Sequence, residues 1–286
     1  QSKLNFAENM LKNRSDDEAL IFRCEDRISK TLSFAELYNQ VSKTAQHLKE
    51  LGVTKGDRVA GFLPNFAGSI VAMLATASVG AIWSSCSPDF GEQGVIDRFG
   101  QIEPKVLFCV DGYFYNGKTH NCLDKIKSFT ARLPSLKQVV IFDYASLSNI
   151  VINNSISYQE ILENYEAIEI SFERVGFDHP LYIMYSSGTT GVPKCIVHGH
   201  GGTLVQHLKE HQLQTNISSG DRVFYFTTCS WMMWNWLVSA LGTGATIMLY
   251  DGSPTYPDNT VLWQFADEEE FLSLIHISEP TRLASI

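Results

Sequence analysis

The residues best suited to chemistry lie in one stretch, Tyr185-Ser186-Ser187-Gly188-Thr189-Thr190-Gly191-Val192-Pro193-Lys194. Four Ser/Thr hydroxyls, two glycines and one lysine are framed by apolar runs, residues 181–185 before and 195–197 after. Glycine lets the backbone approach a ligand, and successive amides form a concavity that attracts anions. Hydroxyls and a cation beside such amides suit a phosphate. The string is not a Walker A loop, because no Ser or Thr follows the lysine and no helix is expected to start there. A Gly/Ser/Thr loop read without its neighbours is equally a plain turn.

Two further stretches carry chemistry-bearing residues. His207-Leu208-Lys209-Glu210-His211 has the H-x-x-E-H spacing of a zinc peptidase, with two histidines on one helical face. A pattern of five residues is common by chance and no third ligand follows, so an ordinary amphipathic helix is the expectation and no metal site is assigned. Trp231-Met232-Met233-Trp234-Asn235-Trp236 concentrates apolar surface. Three tryptophans in six residues suit a core; the alternative is the wall of an apolar pocket, shaped by flexible methionines. Arg98, near Asp97, is expected to salt-bridge on a helix face, and Lys118 in the turn 115–118 reads as solvated.

The elements that must position these residues alternate. A short helix over 3–12 precedes strands at 19–22 and 30–32. Ser33 and Glu36 form a capping box, and Phe34, Leu37, Val41, Ala45 and Leu48 continue at helical spacing to Gly52. Strands follow at 58–63, 81–84, 105–110 and 138–142, with helices at 65–78, 92–101 and 123–133. Residues 146–158 read as a surface connection, followed by a short helix to 164. Asp178-His179-Pro180 leads into the strand that carries the loop. Thereafter the pattern predicts a helix over 203–213, a strand over 222–227, a Trp-rich turn and helix over 231–241, and a strand over 246–250. This alternation is the signature of a parallel, helix-covered α/β sheet.

The 286 residues are 44% hydrophobic and 19% charged, enough for a sizeable core and one or two domains. A formal net charge of −9 without a basic cluster argues against nucleic acid and anionic membrane as partners. The longest apolar run, 70–83, is too short to span a bilayer, so no integral membrane segment is expected. Six cysteines without a C-x-x-C pair read as reduced, mostly buried thiols of a cytosolic protein.

The ten-residue string resembles the phosphate loop of the adenylate-forming superfamily. Together with the tryptophan run, Trp83-Ser84-Ser85-Cys86-Ser87-Pro88-Asp89-Phe90-Gly91, Pro193 to His198, Gln206 to His211 and Tyr250-Asp251-Gly252-Ser253-Pro254, it resembles the acetoacetyl-CoA synthetase family over residues 4–267. The resemblance implies the large N-terminal domain of that superfamily, with helix-covered, mostly parallel sheets in two subdomains (1–145 and 180–270, joined by 146–179), present incompletely. It implies a cytosolic ligase that uses ATP with Mg2+ to make acetoacetyl-adenylate from acetoacetate, then transfers the acyl group to coenzyme A. Ser186, Ser187, Gly188, Thr189, Thr190, Gly191 and Lys194 would hold the ATP phosphates, with Lys194, Thr189 and Thr190 acting in catalysis. Preorganised donors of this kind stabilise developing phosphate charge. By similarity, Trp231, Met232 and Met233 line the acyl pocket, and Gly117, Lys118 and Thr255 contact CoA. Two departures bear on these roles: Tyr115 stands where the acetyl enzymes have an arginine, and Cys229-Ser230 precede Trp231 where a glycine is usual.

Residues 271–286 resemble a reading-frame translation of a sequencing-library adapter and are expected to be non-native. The family's adenine, ribose and Mg2+ motifs and its C-terminal domain would lie beyond residue 270. The chain by itself is therefore expected to bind nucleotide weakly and not to turn over.

Overall fold

The computed structural model describes residues 2–147, 152–186, 191–271 and, as backbone, 273–275. In chain order the elements are α1 (Phe6–Met10), β1 (Glu18–Cys24), β2 (Ile28–Ser33), α2 (Phe34–Glu50), β3 (Arg58–Phe62), α3 (Ala67–Ser78), β4 (Ile82–Cys86), α4 (Glu92–Ile102) and β5 (Val106–Val110). A hairpin β6 (Gly112–Tyr115) and β7 (Lys118–Asn121) precedes α5 (Leu123–Thr130), β8 (Gln138–Phe142), β9 (Ser155–Ser157) and α6 (Tyr158–Asn164). Then come β10 (Pro180–Ser186), β11 (Lys194–Gly199), α7 (His200–Lys209) with a π-helical turn over Glu210–Gln214, and β12 (Arg222–Tyr225). α8 (Met232–Val238) runs into a 3-10 turn (Ser239–Thr243), followed by β13 (Thr246–Asp251), α9 (Val261–Glu269) and β14 (Ser273–Ile275).

A seven-stranded sheet has the order β11-β10-β4-β3-β5-β8-β9, and a five-stranded sheet the order β14-β12-β13-β1-β2. Within these two sheets all pairings are parallel except the hairpins β10–β11 and β1–β2, and β6–β7 forms a separate antiparallel pair. Strands β3 and β5 are apolar on both faces, as a sheet covered on both sides requires. Val59, Val106 and Phe108 join the core of α2 and α3, whereas Ala60, Phe62, Leu107 and Cys109 join that of α4 and α5. Every residue of α3 from Gly68 to Ser78 is buried. Its small side chains suit a helix enclosed on all sides.

Most expected elements form. The Ser33 capping box is present, with Ser33 Oγ accepting from Glu36 N at 3.1 Å and the Glu36 carboxylate accepting from Ser33 N at 2.8 Å. The first helix is shorter than expected, because Asn5 caps it by accepting from Ala7 N and Glu8 N. The helix expected over 203–213 starts earlier, at His200, and ends as the π turn. Strands β6, β7 and β9 and helix α9 carried no clear period and were not expected. Sheet membership also crosses chain order: β1 and β2 complete the sheet of β12 and β13, while β10 and β11 extend the sheet of β3 to β5. Within the tail expected to be foreign, β14 pairs with β12 and Phe271 packs on Phe224 and Phe265.

Candidate functional site

The carboxyl ends of parallel strands are where open α/β sheets bind ligands. Here the ends of β1, β3, β4, β10 and β13 carry the singled-out residues or the groups that hold them. Strand β10 delivers Ser186 opposite Lys194 of β11, so the two close the base of the phosphate-type loop. Ser187, Gly188, Thr189 and Thr190 lie outside the described residues. Gly191 has φ +94°, a conformation that glycine adopts without strain, and its α-carbon faces open space. Lys194 is exposed, and no carboxylate among the described residues pairs with it.

The loop's flanks are anchored. Ser84 Oγ lies 2.8 Å from Ile183 O and 3.0 Å from the Tyr185 hydroxyl. Burial pushes the Tyr185 phenol well above its ordinary pKa, keeping it protonated. Gln101 of α4 donates to Pro193 O at 2.8 Å. Arg98 does not pair with Asp97. Its guanidinium lies 4.6 Å from the Phe90 ring centroid and 5.7 Å from that of Tyr185, and it donates to Gly94 O at 2.8 Å. That packing holds a fixed cation beside the strand leading into the loop.

The tryptophan run divides between core and surface. Trp234 is fully buried and donates its indole N–H to Asn65 Oδ1 at 3.0 Å, and Trp236 donates to Glu210 Oε2 at 3.0 Å. Trp231 is 68% exposed and Met232 40%, whereas Met233 is half-buried and packs against the core, so the structure does not bring all three to one open surface. The departure at Cys229 has a structural counterpart. Its thiol donates to Pro64 O at 3.0 Å and its carbonyl accepts from Ser85 Oγ at 2.6 Å, pinning the turn to the ends of β3 and β4. Asn235 Nδ2 lies 3.7 Å from Met184 Sδ of β10, which links this turn to the loop-bearing strand.

His207 and His211 are both buried and share one hydroxyl. His207 Nδ1 is 3.0 Å and His211 Nε2 2.9 Å from Ser239 Oγ, which donates to Trp236 O at 2.6 Å. His211 Nε2 also lies 2.9 Å from Trp236 O, and burial lowers both histidine pKa values to about 4, which keeps the rings neutral near pH 7. The zinc-like spacing thus packs α7 against α8. Among the described residues no group of three His, Cys, Asp or Glu could hold a metal.

The turn carrying Gly117 and Lys118 and the segment carrying Thr255, distant in sequence, meet at Glu25 through Asn116, Gly117 and Ser253. Glu25 ends the β1 side of the β1–β2 turn with φ +47° and is 7% exposed. Its carboxylate accepts from Asn116 N at 2.6 Å, Gly117 N at 3.0 Å and Ser253 N at 2.9 Å. Arg27 donates to Gly117 O at 2.8 Å, and Thr255 N donates to Ser253 Oγ at 3.3 Å. A Cβ on Gly117 would come within 2.6 Å of the Tyr256 ring, so that glycine permits a close approach. Glu25 lies between the strands expected at 19–22 and 30–32, and no local signal in the sequence distinguishes it.

Next to it, Asp251 at the end of β13 accepts from the Tyr144 hydroxyl at 3.0 Å, and burial raises its pKa to about 6.

A glycine-hydroxyl loop closed by Ser186 and Lys194 at the carboxyl ends of mixed α/β sheets is the architecture of the adenylate-forming fold. Residues 6–274 match the AMP-binding enzyme family, and the chain belongs to it. It is 52% identical over 273 residues to the acetoacetyl-coenzyme A synthetase of Rhizobium meliloti (strain 1021), covering 95% of this chain and 42% of that protein. It is 50% identical to the acetoacetyl-CoA synthetase of Gallus gallus, over 93% of this chain and 41% of that protein. The structure superposes on the acetoacetyl-CoA synthetase of Streptomyces lividans with a TM-score of 0.90 at 44% identity, covering 94% of this chain and 42% of that one. The chain thus spans about two fifths of the length of these relatives.

Proposed function

We propose that the chain is the loop-bearing part of a cytosolic acetoacetate–CoA ligase. The observation that carries this reading is the similarity to acetoacetyl-CoA synthetases along nearly the whole chain, joined to the loop closed by Ser186 and Lys194. In the proposed reaction a carboxylate oxygen of acetoacetate attacks the α-phosphorus of ATP, and the bond to pyrophosphate breaks. The CoA sulfur then attacks the acyl carbon, loses its proton, and AMP leaves.

Lys194 and the hydroxyls of Ser186, Ser187, Thr189 and Thr190, with the backbone at Gly188 and Gly191, neutralise charge on the phosphates. Such groups lower a barrier when they are already in place. Trp231, Met232 and Met233 offer the acid an apolar wall. Lys118, Gly117 and Thr255 form the side from which CoA approaches. Mg2+ is expected with ATP, but the described residues offer it no cluster of ligands, and no step is assigned to it. Among the described residues no helix is long and apolar enough to cross a membrane.

A second acid has a specific observation behind it. A malonamoyl-CoA synthetase of Penicillium aethiopicum is 44% identical over 269 residues, the same identity as the Streptomyces lividans protein. Acid-dependent ATP–pyrophosphate exchange in a protein of the relatives' full length decides between them. Acetoacetate is expected to outcompete acetate, propionate and malonamate in kcat/KM; a preference for any of those would overturn the assignment. Lys194→Ala is expected to slow the exchange by about 10²–10³.

A further inference from the structure

We propose that Glu25 is a positioning residue for CoA, fixing the tip of the β6–β7 hairpin against the 252–256 segment. This rests on the reading that Lys118 and Thr255 contact CoA. One carboxylate receives amides from two segments that are 91 and 228 residues from it in the chain. Lys118 directly follows the Gly117 amide that it holds, and Thr255 is tied through Ser253. Arg27, on the same turn, binds Gly117 O and lies 4.9 Å from the Phe114 ring centroid. The β1–β2 turn therefore grips the hairpin tip from both polarities.

The arrangement has an electrostatic consequence. A hairpin tip with successive N–H groups would itself bind a phosphate. Here those N–H groups are already taken by Glu25, so the backbone of Asn116 and Gly117 has no donor left for a ligand. Anion contact then falls to the exposed Lys118 side chain, and Glu25 sets where that side chain starts. Fit is tight on the other side as well. A Cβ on Gly252 would meet Glu25 Cγ at 2.5 Å, so the carboxylate has little room to move.

The test uses a protein of the relatives' full length. KM for CoA in thioester formation is measured beside ATP–pyrophosphate exchange without CoA. Glu25→Gln places an amide N–H against backbone donors and is expected to raise KM for CoA about tenfold, while changing exchange several times less. Glu25→Asp keeps the charge one methylene short and is expected to give an intermediate KM; it also serves should Glu25→Gln fail to fold. Equal losses in both half-reactions, or an unchanged KM for CoA, would overturn the positioning role. Lys118→Ala separates the two layers. If it leaves KM for CoA unchanged, the CoA reading of the hairpin falls and the role of Glu25 falls with it. If it raises KM and the Glu25 variants do not, the CoA reading stands and the role of Glu25 alone is overturned.

Discussion

Neighbouring residues of one short segment do opposite work. Trp231 presents most of its surface to solvent, whereas Trp234, three residues on, is enclosed and hydrogen-bonded to Asn65. Trp231→Ala is therefore expected to shift stability by no more than about 0.5 kcal/mol and to raise the KM for the acid about tenfold. Trp234→Ala is expected to cost about 3–5 kcal/mol through the cavity it leaves, besides stripping Asn65 Oδ1 of its donor. Urea unfolding of both variants, with acid kinetics of the first, checks the contrast. Equal destabilisation by the two would show that exposure does not divide the segment. Composition identified the cluster as apolar but gave no phase. The split runs along α8 and not around it: Trp231 and Met232 at its start are exposed, whereas every residue from Trp234 to Val238 is buried.

Among the elements, α7 with its π turn docks on α8 through the His207–Ser239–His211 arrangement. Both histidines have folded pKa values of about 4, below the ordinary 6.5. A depressed histidine contributes stability fully above pH 6.5, and that contribution is lost as pH falls towards 4. His211→Gln keeps an N–H donor near the Nε2 position without a titrating ring. It is expected to flatten the acid limb between pH 6.5 and 4 by on the order of 2 kcal/mol, read from urea midpoints across that range; an unchanged limb would refute the assignment.

Elements with a strong local signature were legible in the sequence. The amphipathic α2 with its capping box, and the apolar strands flanking the loop, announce themselves through spacing and turn residues. The hairpin β6–β7 was seen only as its turn, because its four-residue strands are too short for a period to show. The zinc-like spacing was correctly legible as helix, but the hydroxyl the histidines share comes from a segment 28 and 32 residues later. Glu25 was illegible for the same reason in stronger form. Its partners lie far along the chain, and a carboxylate in a polar turn ordinarily faces water.

At the scale of the whole molecule, the two sheets meet through polar links as well as apolar packing. Asn65, just beyond β3, donates to Tyr250 O of β13 at 3.3 Å, and the Tyr144 hydroxyl donates to Asp251. Rings of Phe22, Phe66, Phe142 and Tyr144 fill the space beside them, with centroids 5.1–6.3 Å apart. Asp251 titrates with the opposite sign to the histidines. Its pKa rises from 3.8 to about 6, so the fold favours the protonated form. That preference is complete below pH 3.8 and is lost as pH rises through 6. Asp251→Asn mimics the protonated carboxyl and is expected to exceed the wild type above pH 6 by on the order of 2–3 kcal/mol, converging with it near pH 4. Thermal melts at pH 4 and 7.5 measure this, and a variant less stable at pH 7.5 would count against it.

The crossing of β1 and β2 into the sheet of β12 and β13 also sets a timetable for synthesis. Thr246 Oγ1 of β13 bonds the Glu18 carbonyl at the start of β1, 228 residues earlier. At about 5–20 residues per second, β1 leaves the ribosome roughly 10–45 s before the strand it pairs with in parallel. Through that interval Ala19, Leu20 and Phe22 can pack on β2, α2 and α3, but the edge that pairs with β13 stays open. A strand made early thus completes its sheet only after more than two hundred further residues have been added.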